Sequence, residues 1–477
     1  MTRNKLLSDI SISSLQAILN QLAGIVVFFI ISKYLDKNSF GQINWLLAVL
    51  MVIFTVLGCG LDQLVVKKTA TGTDPGLLLA MYFFHVLITG ASFLGIVFIV
   101  QQASPVFQKD NQLFFLLSVS QCLAFFSIPF KQIVNGLEKF KALFVMSSCA
   151  NLCKIISLLL LAFSHQITLL SIVWVYLFAS FAELLVCIYM YKGYLQLPIY
   201  LGHTKKQYTA LFKESLPQLG IAVFNTAVAR FDWILVGILS TTLVVAEYSF
   251  AYRLFELASL PLLILAPVLF PRISKLFADD TGDNQTKKQL FLPLVIRVEI
   301  MIAVFVAIVV NICWKETIDF LTGSKYGSST AQVIFVLSFC MPLLYLNNIL
   351  WSINFAKARM RVIFLCILVT FLVNIAADLL LIPAFSATGA ALGFVISTLV
   401  QTIFYSKKTK LGDAKIFWLQ LLLVAGIGLA AGFLSKYLFV NPVKQLIAAC
   451  IAYVSLLLFT GQLTIKDWLL FKRITAA

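Results

Sequence analysis

Apolar stretches close to the roughly 20 residues that a helix needs to cross a bilayer recur from one end of this chain to the other. They leave no room among its 477 residues for a soluble domain. Fourteen spans are placed at about 12–32, 42–62, 77–100, 112–130, 142–163, 168–190, 215–239, 247–270, 291–313, 331–354, 362–382, 388–405, 416–437 and 444–464, with twelve or thirteen as the alternative count. The first run is too long for the core of a signal peptide and no small-residue cleavage site follows it, so it reads as a retained span. Composition agrees: 61% of residues are hydrophobic and 12% charged, where soluble domains carry about 25% charged residues. The expected fold class is an all-α polytopic membrane protein.

The net charge of +16 could suggest a nucleic-acid partner, but its distribution points elsewhere. With the N-terminus set inside, Lys and Arg on inside segments outnumber those in outside loops by more than three to one. That asymmetry is the positive-inside signature, which places both termini in the cytoplasm and excludes nucleic acid as the reason for the charge. Lys205-Lys206, Lys287-Lys288 and Lys407-Lys408 then read as topology determinants that touch anionic lipid. Nine cysteines sit mostly inside spans, without paired CxxC sets or His partners. No metal site or cofactor is expected from them, and Cys149 and Cys153, four apart on one helix face, read as small core residues.

The outside loops are short, the longest running from about Trp314 to Thr330. A membrane enzyme that polymerises or ligates glycans usually needs a larger ordered loop, so the chain is not read as an enzyme. A weak internal echo lies at an offset of about 205, where Phe40–Ile43 (FGQI) lines up with Val245–Tyr248 (VAEY); each follows a short outside turn and opens the next span. It pairs spans 1–2 with spans 7–8, as two six-helix halves would. The expected organisation is therefore an N-terminal bundle over 1–200, a C-terminal bundle over 201–410 and two further spans over 411–477, with a substrate cavity between the bundles near the midplane.

Three segments carry a family resemblance. Asn20–Asn44 (NQLAGIVVFFIISKYLDKNSFGQIN) resembles the opening of polysaccharide flippases, where a first span runs through a short leucine-containing turn into Phe-Gly-x-Tyr/Ile. Ile133–Lys141 (IVNGLEKFK) is similar to the segment that follows their fourth span. Arg230–Leu239 (RFDWILVGIL) followed by Ala246–Leu254 (AEYSFAYRL) resembles their junction between spans 7 and 8. Gln42-Ile43 stands where Leu-Tyr is commoner, and Leu35-Asp36 where Leu-Gly is usual. The resemblance is to the Wzx-like translocases of the multidrug/oligosaccharidyl-lipid/polysaccharide exporter superfamily. It implies a flippase that carries an undecaprenyl-diphosphate-linked oligosaccharide, an O-antigen unit or a similar repeat, to the outer leaflet of a bacterial inner membrane. It also implies membrane lipid, a polysaccharide polymerase and chain-length machinery as partners.

A charge at the bilayer centre costs several kcal/mol, so it faces water or a partner. Lys154, Glu183, Arg230 and Asp232 lie well inside spans; Arg253, Glu256, Arg297, Glu299 and Asp378 lie nearer span ends, where long side chains can snorkel. Arg230 and Asp232 are two apart, about 200° around a helix, and so serve two environments rather than each other. Arg253 and Glu256, three apart, can pair on one face. A diphosphate crossing hydrocarbon needs cations, and Lys154 and Arg230, joined by Arg253 and Arg297, can supply them. Coupling needs a group whose charge can change. Glu183 is first choice, against a static bridge to Lys154, with Asp232 and Asp378 behind it.

Span 1 has a polar face of Gln16, Asn20 and Gly24, suited either to sugar hydroxyls or to helix packing. Asn347 with Asn354, and Asn374 with Asp378, invite the same two readings. Gly389 and Gly393 form a small-residue packing face, and His85 reads as a satisfied intramembrane residue. Three other functions stand beside the flippase: a multidrug exporter, a peptidoglycan-precursor flippase and, in a different class, a membrane glycan polymerase or ligase.

Overall fold

The computed structural model describes residues 3–103, 108–200, 202, 204–278, 282–409 and 414–463, and every regular element among them is helical. In the first half these are α1 (Arg3–Tyr34), α2 (Lys37–Leu57), α3 (Leu61–Ala70), α4 (Pro75–Ala103), α5 (Gln108–Gly136), α6 (Phe140–Phe163), α7 (Leu169–Ile188) with a π-helical turn at Tyr189–Tyr194, and α8 (Lys205–Leu239). The second half holds α9 (Thr242–Ala258), α10 (Leu260–Ala278), α11 (Gly282–Thr322), α12 (Gly327–Ser338), α13 (Cys340–Ala356), α14 (Met360–Thr409), α15 (Ala414–Leu438) and α16 (Pro442–Phe459).

Eleven of the described helices are long and apolar enough to cross a membrane, and local breaks reconcile them with the fourteen expected spans. The 50 residues of α14 would stretch about 75 Å as one rod, against about 30 Å of hydrocarbon. The helix instead doubles back at Ser386, whose φ of 53° and ψ of −130° are not helical. A methyl group on Gly393 would meet Asp378 Oδ1 at 2.2 Å, and one on Gly389 would meet the Leu381 carbonyl at 2.2 Å. The two limbs are therefore expected spans 11 and 12, pressed together where those glycines have no side chain. Expected span 8 is divided between α9 and α10 by a break at Ser259, just ahead of Pro261, a residue that cannot donate to the preceding turn. Span 1 corresponds to α1, whose described apolar part is Leu19–Tyr34.

Termini are set by local chemistry. Asp36 caps α2 by accepting from the Ser39 backbone amide at 3.0 Å, and that bond holds its carboxyl below the usual carboxylate range. Between α2 and α3 the chain turns through left-handed Cys59 (φ 49°) and Gly60 (φ 71°). Gly60 lies so close to α8 that a side chain would strike the Leu219 amide at 2.4 Å.

The chain separates into two compact units, Met1–Ala246 and Glu247–Ala477. In the first, α5 packs on α7, α4 and α3; α6 lies against α1 and α7; α8 runs along α2 and α3. The starts of α2 and α9 meet here: Gly41 approaches the Thr242 carbonyl so closely that no side chain fits, and the Thr242 hydroxyl reaches Asn38 at 3.3 Å. In the second unit α11 is the hub, touching α12, α13, α15 and α16, while α13 also packs on α14 and α10. Its core includes Ile296, Ile300, Ile349, Ile353 and Val424, all buried.

Candidate functional site

A chain of ionic contacts runs through the first unit. The Glu183 carboxylate of α7 accepts from the Lys131 ammonium of α5 at 2.8 Å, with the side chains 9% and 21% exposed. Asp62 of α3 lies within electrostatic range of Lys131 and accepts the hydroxyl hydrogen of buried Tyr82 from α4. Lys154 of α6 lies within electrostatic range of both Glu183 and Lys131. Its Nζ sits 4.4 Å from the centre of the Tyr176 ring of α7. Two carboxylates and two ammonium groups make a balanced set.

Packing explains how these groups converge. Because α5 and α7 lie side by side and α6 leans on α7, one face of each points at the same region. Lys131 and Asp62 are the members that sequence reading misses. The apolar run of span 4 ends at Phe130, so the next residue reads as loop, yet α5 continues to Gly136 with Pro129 inside it. Pro129 also removes a backbone donor about two turns before that end. No bridge closes directly between Glu183 and Lys154, since Lys131 holds the close position.

Asn20 belongs to the same neighbourhood. Its Oδ1 accepts from Ser148 at 3.2 Å and its carbonyl from Asn151 at 3.5 Å, both on α6, and Asn151 is three residues before Lys154. The polar face of span 1 thus meets α6, as packing requires. The side chain of Gln16 lies outside the described residues.

The other expected residues lie elsewhere. Arg230 and Asp232 are both buried on α8. Arg230 bonds its own chain at Ala229 at 2.8 Å and stacks over Trp233 at 4.7 Å; Asp232 accepts from the Trp233 amide at 3.1 Å. In the second unit Arg253 donates to Glu256 at 2.8 Å, so the i,i+3 spacing closes into an ion pair. Arg297 is half-buried on α11. Asp378 is buried on α14 against Gly393. One turn before it, Asn374 is 1% exposed and its side-chain amide makes no hydrogen bond.

The polar pairs of spans 10 to 12 act as helix glue: Asn347 reaches Gln401 at 3.1 Å and Asn354 reaches Thr409 at 2.7 Å. His85 is satisfied by Tyr208 at 2.9 Å and the Leu57 carbonyl at 2.8 Å. The Cys149 and Cys153 sulfurs lie 4.0 Å apart, and all nine cysteines are free thiols. Among the described residues no group of three His, Cys, Asp or Glu is placed to hold a metal. A groove with a cavity volume of about 110 Å³ in the second unit, walled by residues such as Val304, Ile308, Phe335 and Leu429, is mainly apolar and lined by none of the expected site residues.

Residues 6–277 match the family described as polysaccharide biosynthesis protein. The chain belongs to that family. No curated protein matches it significantly in sequence. Among solved structures it is similar to the lipid II flippase MurJ in its inward closed conformation, with a TM-score of 0.74 and 13% identity over 94% of this chain and 98% of that one. It is similar also to an inward-facing multidrug resistance MATE family transporter of the MOP superfamily, with a TM-score of 0.65 and 12% identity over 83% and 95%. A third is a MOP superfamily transporter from Pyrococcus furiosus, with a TM-score of 0.58 and 11% identity over 84% and 95%. This polysaccharide biosynthesis family member thus has the fold of MOP superfamily transporters, and it is a multi-pass membrane protein.

Proposed function

We propose that the chain is a flippase for an undecaprenyl-diphosphate-linked oligosaccharide, an O-antigen unit or a similar surface repeat. It would sit in a bacterial inner membrane with both termini in the cytoplasm and work alongside a polymerase and chain-length machinery. The observation that carries this reading is Lys154. Among the described residues no carboxylate lies within ion-pair distance of its ammonium group, which rests on an aromatic face while Lys131 neutralises Glu183. A cation held in the membrane without a close counter-ion is poised for an anionic headgroup, and a diphosphate has the charge and the acceptor oxygens to use it.

In this reading Arg230 supplies a second cation, with Arg253 and Arg297 as further contributors, and Gln16 and Asn20 face sugar hydroxyls. The prenyl tail stays in lipid while the headgroup crosses, and the units alternate between inward-open and outward-open arrangements. Glu183 is the coupling group: headgroup binding at Lys154 changes the field on a carboxylate that is already shared with Lys131. Asp232 and Asp378 are further coupling candidates. The family match supports a polysaccharide pathway over drug export, and the short outside loops argue against polymerase or ligase chemistry.

Leaflet-resolved accessibility of lipid-linked oligosaccharide in proteoliposomes tests the reading. Losing a charge-assisted contact worth about 1.5–3 kcal/mol lowers translocation by about tenfold or more in Lys154→Ala and in Arg230→Ala. Wild-type rates in both variants would remove these cations from the mechanism.

A further inference from the structure

The second unit contains an acid that the proposed mechanism does not use. Glu299 lies on α11, about two turns past the start of the apolar span at Phe291, and is 2% exposed. Neither of its carboxylate oxygens makes a hydrogen bond or ion pair. An ionised carboxylate in such a place has no compensation, whereas the neutral acid has a much smaller desolvation cost. Tyr345 of α13 lies within electrostatic range of it and approaches the backbone of Leu262, just beyond the break between α9 and α10. The Tyr345 hydroxyl makes no hydrogen bond of good geometry. A buried acid, a phenol without a settled partner and an interrupted helix therefore meet inside one unit.

Nearby charges do not supply a counter-ion. Arg253 of α9 is engaged by Glu256. On α11 itself Arg297 is two residues away, on the opposite face. On α16 Tyr453 donates to the Met301 carbonyl at 2.9 Å, and Lys444 lies at the start of that helix. α12 carries no titratable side chain, and α13 adds only the buried thiol Cys340. On α15 Lys436 borders the apolar groove beside Asn311, three turns beyond Glu299. The side chains of Arg272, Lys275 and Lys415 lie outside the described residues.

We propose that Glu299 is a proton-binding site of the second unit: it holds a proton in the arrangement described here and releases it when the α9–α10 break and Tyr345 move to admit water. The bound species is a proton from the aqueous phase, taken up by a carboxylate oxygen and returned to water, with Tyr345 as the hydrogen-bond donor that steadies the anion. The part it plays in driving transport rests on the flippase reading; the protonation itself does not.

Infrared difference spectroscopy of the purified full-length protein during pH titration tests the site directly. The wild type should show a carboxylic acid carbonyl band at neutral pH that is missing from Glu299→Gln, and Tyr345→Phe should retain the band and move its titration midpoint to higher pH. Absence of an acid band attributable to Glu299 at neutral pH overturns the proposal, as does an unchanged midpoint in Tyr345→Phe for the role of the phenol. Matching elution and melting profiles establish that the variants are folded. In proteoliposomes carrying lipid-linked oligosaccharide, Glu299→Gln should lose the stimulation by a pH gradient that the wild type shows, and a retained stimulation removes Glu299 from coupling. If the wild type moves no oligosaccharide while the band is present, the flippase reading fails and the proton site stands.

Discussion

Two buried polar neighbourhoods, one in each unit, are held in opposite ways. In the first, Glu183, Lys131, Asp62 and Lys154 come together from four helices and balance each other. In the second, Glu299 and Asn374 are buried singly, with side-chain polar atoms that bond to nothing. A balanced cluster resists the removal of any one member, because the charge left behind is stranded. An isolated polar group carries only its own desolvation cost, so its removal relieves the fold, and its presence calls for a functional reason.

The largest effect that tests this contrast is Lys131→Ala. It leaves Glu183 buried without its close partner, and the expected loss is about 3 kcal/mol, read as a lower unfolding midpoint in detergent. Adding Glu183→Leu should recover most of that loss; if the double variant is as unstable as the single one, the balanced-cluster description is wrong. Second in size and opposite in sign is Asn374→Leu, which removes an unsatisfied amide and should raise stability by about 1–3 kcal/mol. A loss of the same size would overturn the description of Asn374 as unsatisfied in the folded protein. The smallest effect is Asp36→Ala, which removes the α2 cap and costs about 1 kcal/mol. Its sign with pH is fixed: the native carboxyl titrates below its unfolded value, so the contribution is present at neutral pH and disappears as pH falls through the folded value. A stability difference between wild type and Asp36→Ala that stays constant on acidification would contradict the cap assignment.

Much of the fold is legible in the sequence because the bilayer imposes a length on every helix. The apolar runs at 362–382 and 388–405 predict two spans, and the structure bends one helix at Ser386 to make them. Breaks inside spans are harder to read. Cys59 and Gly60 bend the second span without interrupting its hydropathy, because a left-handed turn is written in backbone angles and not in polarity. The charged site is half legible for a related reason. Lys154 and Glu183 stand out from apolar surroundings, whereas Lys131 hides one residue past the end of an apolar run, where the helix continues and the hydrophobic pattern stops. Glu299 reads from its position as a side chain able to snorkel at a span end; its burial comes from the helices packed around α11, which no local pattern on α11 announces.

The turn at Ser386 also bears on how the protein is made. With a single residue joining its limbs, and glycines that tolerate no side chain at the seam, neither limb has a complete surface by itself. A nascent chain halted between the limbs would therefore present a half-built face to the lipid.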